Sequence, residues 1–124
     1  MSALTWLAFV VAAAIGAPLR YLVDGAIGDR TGDVFPWGTF VINTTGSLLF
    51  GFLTGLALYH AFPKAPRLVL GTGFCGAYTT FSTFTFETVE LIEEGAVNEA
   101  VRNAFGTLVV GAAAAALGLA LAAL

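Results

Sequence analysis

Gly71-Thr72-Gly73-Phe74-Cys75-Gly76-Ala77-Tyr78-Thr79-Thr80-Phe81-Ser82-Thr83-Phe84-Thr85-Phe86 is the stretch on which the fold turns. It continues an apolar run from Leu68, yet glycines fill its first half and hydroxyl residues crowd its second. Glycine and threonine are both poor helix formers. A helix crossing lipid here is expected to break near Gly76–Thr80, at about mid-membrane depth. Irregular backbone at that depth is tolerated only where protein buries it or where it lines a cavity. The carbonyls so released suit a hard cation. The competing reading is an intact helix whose hydroxyls bond back to carbonyls one turn earlier. The pattern leaves both open.

The rest of the chain explains why lipid is the relevant solvent. Hydrophobic residues make up 58% of the 124 residues and charged residues only 10%, against about 25% charged in a soluble domain. A hydrocarbon core needs roughly 20 apolar helical residues to cross it. Four segments meet that demand, at residues 3–19, 37–59, 68–86 and 104–124, which predicts an all-α membrane protein of one four-span domain. Ala12–Ala17 could pass for a signal-peptidase site, but no basic residue precedes it, so the segment is kept as a span. Charge gathers in three connections: Arg20–Pro36, His60–Arg67, and the stretch from Glu87, at the membrane boundary, to Arg102. Arg20, Arg30 and Arg102 fall on one side, Lys64 and Arg67 on the other. That balance gives almost no orientation bias, and insertion in both directions is one reading of it.

The same composition removes whole classes of function. Net charge −3 with no basic run argues against a nucleic-acid partner. One cysteine and one histidine cannot make an internal disulfide or a four-ligand zinc site. No enzyme is expected, because nothing brings a nucleophile and a base together.

Polar groups within the spans are few and therefore informative, since each costs several kcal/mol in lipid unless partnered. Thr39, Asn43 and Ser47 share one helical face, which Gly51 and Gly55 continue. Small residues of this kind let helices approach closely. Asn43 can either join helices or meet a permeating ion, having two donors and one acceptor. Ala8, Ala12 and Gly16 form a similar stripe ending at Arg20, which either snorkels to the interface or holds positive charge at a pore mouth. Span four offers Thr107 as its single hydroxyl. Phe81 and Phe84 lie one turn apart, and an aromatic ring carries a positive edge. Ring edges beside Asn43 and hydroxyl donors would suit a small anion; ordinary packing is the plainer reading of two phenylalanines. Cys75 reads as inert packing.

Three motifs in this order resemble the CrcB/Fluc fluoride channels. They are Gly16-Ala17-Pro18-Leu19-Arg20-Tyr21, Gly38-Thr39-Phe40-Val41-Ile42-Asn43-Thr44-Thr45-Gly46, and Gly71 to Phe84 with Gly76–Phe84 at its centre. The resemblance covers the whole chain. It implies an antiparallel, dual-topology homodimer in the cell membrane with a broken third helix and fluoride pathways along the subunit interface. It also implies a structural sodium ion on the two-fold axis, held by backbone carbonyls of Gly76 and Thr79. Asn43, Phe81, Phe84 and Ser82 would line the path, with Thr39 on the same polar stripe, Glu87 near one end and Arg20 at the mouth. Two positions depart from the family pattern: Ala77 stands where glycine is usual, and span four lacks a run of hydroxyls beyond Thr107. The implied activity is passive export. Fluoride enters acidified cells as neutral HF, dissociates, and is driven out by the membrane potential. The rivals are a small multidrug-type transporter, which needs a carboxylate that residues 3–19 lack, and a non-transporting assembly subunit, which leaves the clustered Asn, Thr and Phe without a purpose.

Overall fold

The computed structural model describes residues 1–124, and they form helices joined by short turns. Helix α1 spans Ala3–Thr31, α2 Trp37–Tyr59, α3 Lys64–Arg67, α4 Gly76–Tyr78, α5 Phe81–Glu93 and α6 Val97–Ala122. A π-helical stretch, Leu68–Cys75, joins α3 to α4 without interruption. Three of these helices, α1, α2 and α6, are long and apolar enough to cross a membrane. The third segment is the broken one: α3, the π-helical stretch and α4 form its first half, and α5 its second.

Two connections read as loops from their charge are mostly helical. The Arg20–Pro36 stretch continues α1 to Thr31, giving 29 residues in all, or roughly 43 Å at 1.5 Å per residue. Arg20, Val23 and Ile27 are half-buried on one side of this extension. That helical spacing outweighs the glycines, of which Gly25 and Gly28 are exposed. The helix ends at Gly32, whose φ of 55° suits the left-handed cap and returns an N–H to the Gly28 carbonyl. The Glu87–Arg102 stretch is likewise helical to Glu93 and again from Val97, with the reversal made at Gly95 (φ 82°). Its acidic residues decorate a helix surface, which a count of charges alone reads as loop. The bounds of α2 coincide with the stretch expected at 37–59.

Small residues set the packing. The α2–α6 contact is backbone to backbone: a Cβ on Gly51 would strike the Ala115 carbonyl, and one on Gly118 would strike the Leu48 carbonyl. A Cβ on Gly55 would lie 2.6 Å from the Ala122 Cβ and 3.0 Å from the Leu119 carbonyl. On the other side, a Cβ on Gly16 would lie 2.7 Å from the Phe74 carbonyl, so α1 rests directly on the third segment. Without a hydrophobic drive between helices in lipid, close van der Waals approach of this kind supplies the cohesion. It also brings the broken segment against the polar face of α2.

Candidate functional site

The break lies at Thr79 and Thr80, both in extended conformation (ψ 161° and 122°). In an unbroken helix the Thr80 N–H would close on the Gly76 carbonyl. Here it donates to Asn43 Oδ1 at 2.9 Å, and Asn43 Nδ2 donates to the Thr80 carbonyl at 2.9 Å. One turn on, the Thr83 N–H donates to Thr80 Oγ1 at 3.1 Å, which caps α5. That N–H would otherwise close on the Thr79 carbonyl. Side chains thus replace the helical ladder at two points, and the Gly76 and Thr79 carbonyls are left without their helical donors.

Two further bonds hold the first half in place. The Thr45 hydroxyl donates to the Val41 carbonyl at 2.8 Å, so the Tyr78 hydroxyl donates to Thr45 Oγ1 at 2.9 Å. The Thr79 hydroxyl donates back to the Cys75 carbonyl at 2.8 Å. Thr54, Thr85 and Thr88 bond back one turn in the same manner. The third segment is therefore broken at Thr79–Thr80 and not one intact helix, although its Thr79 and Thr85 hydroxyls do bond back one turn.

Of the residues expected to form one path, Asn43, Phe81, Phe84, Thr39 and Arg20 fall into two neighbouring spaces. A groove of about 730 Å³ between α2, the break and α6 is lined by Asn43, Ser47, Phe81, Phe84 and Thr107, with Thr79 and Thr80 at its floor. The Phe81 and Phe84 ring centroids stand 6.0 Å apart at an interplanar angle of 47°, and Phe81 is 78% exposed. A smaller cleft of about 200 Å³ on the α1 side is lined by Arg20, Asp24, Thr39, Thr80 and Thr83. Thr80 belongs to both and is the wall between them. Thr39, 2% exposed, donates its hydroxyl to Glu87 Oε1 at 2.9 Å, while Glu87 Oε2 is buried without a partner. Ser82 is exposed and lines neither space; its Oγ lies 3.4 Å from Thr80 Oγ1. Gly76 and Thr79 border a third space of about 430 Å³ with Ser47, Thr72 and Cys75.

Sequence reasoning missed Thr80, Thr83, Thr88 and Asn103. Asn103 is fully buried and donates to Thr88 Oγ1 at 2.8 Å, joining α6 to α5. It escaped notice because the fourth span was drawn from Ala104. The signal was present: Asn103 precedes Thr107 by four residues and so shares its helical face.

The arrangement sets amide and hydroxyl groups beside two aromatic rings along one groove. It offers no nucleophile–base pair, and no group of three or more His, Cys, Asp or Glu side chains is placed to hold a metal. Comparison with known proteins agrees in kind. The family model described as CrcB-like protein, Camphor Resistance (CrcB), matches residues 7–119. The chain is 47% identical over 116 residues to a protein named fluoride-specific ion channel FluC 1 from Streptomyces avermitilis, covering 94% of each chain. It is 48% identical over 124 residues to the similarly named protein of Frankia casuarinae, covering 96% of each. Against fluoride-specific ion channel FluC 2 of Mycobacterium bovis it is 46% identical over 113 residues, or 91% of this chain and 86% of that one.

Proposed function

From the premise that this chain belongs to the CrcB-like family, we propose that it is a fluoride-specific ion channel, a multi-pass membrane protein that lets fluoride leave the cell passively. The observation that carries this reading is the meeting of Asn43, Phe81 and Phe84 in one groove at the helix break. Fluoride is small and strongly hydrated, so stripping its water requires donors at close spacing. Asn43 spends one amide hydrogen on the Thr80 carbonyl and keeps a second. The positive edges of the two rings supply further favourable contact without a competing negative charge. Arg20, in the cleft on the far side of Thr80, places a positive charge at the entrance, with Asp24 lining the same cleft. Ser82 stands beside Thr80 as an additional hydroxyl, and Thr39 holds the Glu87 carboxylate at the far end of the stripe. Conduction of this kind puts no catalytic step on the chain.

The working unit is an antiparallel homodimer assembled from both insertion directions. Support comes from the unfinished side of the groove: Phe81 is exposed, and Gly76 presents a helix carbonyl that lacks its donor at an exposed position. Such a surface is costly against lipid and suits a second copy of the same face. The three-to-two split of Arg20, Arg30 and Arg102 against Lys64 and Arg67 gives almost no bias and fits insertion both ways.

A sodium ion fits the donor set at the break. The Gly76 and Thr79 carbonyls are freed by the bonds to Asn43 and Thr80, and oxygen ligands of this type suit a hard cation. Bound there, the ion would supply a fixed positive field. A small multidrug-type transporter is disfavoured, because α1 carries no carboxylate before Asp24.

The test is physiological. Expression in a bacterial strain lacking its own fluoride export should restore growth in fluoride at acidic external pH, where HF entry is fastest. Failure to restore growth, with the protein present in the membrane, would count against the assignment.

A further inference from the structure

A second polar chain lies behind Phe84, and its directions can be worked out atom by atom. The Phe84 carbonyl can only accept, so the Thr88 hydroxyl, 2.7 Å away, donates to it. Thr88 Oγ1 must then accept from its other neighbour, which fixes the Asn103 amide with Nδ2 toward Thr88 at 2.8 Å. Asn103 Oδ1 consequently faces Thr107, and the Thr107 hydroxyl donates to it at 3.3 Å.

From this chain we infer that Asn103 is a positioning residue for conduction, resting on the fluoride-channel reading above. Through Thr88 it pins the backbone of α5 at Phe84 against α6, and so sets where the Phe84 ring stands. Asn103 itself touches no ion, being fully buried between the helices.

The test uses the full-length protein in liposomes, with fluoride efflux measured per amount of monodisperse protein. Thr88→Val cuts the chain at its centre and should lower flux by about tenfold or more, the scale of one lost buried hydrogen bond. Thr88→Ser keeps the hydroxyl and should restore flux to within about twofold, inside the scatter expected of a preserved bond. Asn103→Asp offers Thr88 an acceptor where it needs a donor and should behave like Thr88→Val. Flux at the parental level in both Thr88→Val and Asn103→Asp overturns the inference. If the Asn103 variant does not fold, the Thr88 pair decides. Parental protein that conducts no fluoride removes the channel reading along with this one, whereas a conducting parent with indifferent variants removes only the role of Asn103.

Discussion

The Asn43 side chain and the Thr80 backbone form a closed pair, the amide giving one hydrogen bond to the carbonyl and taking one from the N–H, each 2.9 Å long. This pair satisfies the backbone at the break and, by capturing the Thr80 N–H, releases the Gly76 carbonyl. Asn43 thus joins α2 to the break, and its remaining amide hydrogen is the one proposed to meet the ion.

Replacing Asn43 tests that arrangement. Asn43→Ser is too short to close both bonds, and leaving the Thr80 groups unpaired should cost about 1–3 kcal/mol. Thermal unfolding should shift down and fluoride flux should fall steeply. A protein of unchanged stability and flux would mean that the break holds itself.

The phenylalanine pair separates conduction from packing. Phe84→Ile and Phe81→Ile remove the ring edge while keeping an apolar side chain, so folding and assembly should survive while flux collapses. Phe52, which lines neither the groove nor the cleft, is the control and should tolerate the same change. Lost assembly with unaltered flux per surviving assembly would assign the rings to packing.

Gly76 and Gly51 make opposite predictions. A Cβ on Gly76 meets nothing within 4 Å in the subunit, whereas one on Gly51 strikes the Ala115 backbone. Gly76→Ala should leave the subunit folded, and weakened assembly in that variant reports a partner at this face. Gly51→Val should destabilise the subunit itself by about 1–3 kcal/mol through overpacking. Intact assembly and flux in Gly76→Ala would argue against a copy seated there.

Sodium dependence is expected of the ion proposed at the freed carbonyls. Purification with a large organic cation in place of sodium should weaken assembly or abolish flux, read by size-exclusion chromatography and efflux on the same sample. Unchanged behaviour would remove the cation from the account.

Much of this was legible in the sequence, for physical reasons that differ by residue. A break was legible as one of two readings, because Gly76 and Thr79–Thr80 concentrate poor helix formers within an apolar run that an intact helix could also hold. The α2 face was legible because Thr39, Asn43, Ser47, Gly51 and Gly55 repeat every four residues. The ends of α1 and α6 were not, since Gly25, Gly28 and Asp24 resemble a turn until Val23 and Ile27 are seen packing. Drawing α6 from Ala104 hid Asn103, and with it the bond to Thr88. Pairings such as Asn43 with Thr80 join residues 37 apart in the chain, and no local pattern encodes them. Ser82 was placed on the path by its motif alone; its exposure shows a side chain that lines neither space within one subunit.

Selective fluoride conduction is the central claim, and efflux from liposomes holding the purified protein tests it most directly. Vesicles loaded with equal fluoride and chloride, with potassium and valinomycin to carry the counter-charge, should release fluoride rapidly and retain chloride. Phe84→Ile vesicles prepared alongside should retain both. Release of both anions at similar rates, or of neither from the parental protein, would contradict the account.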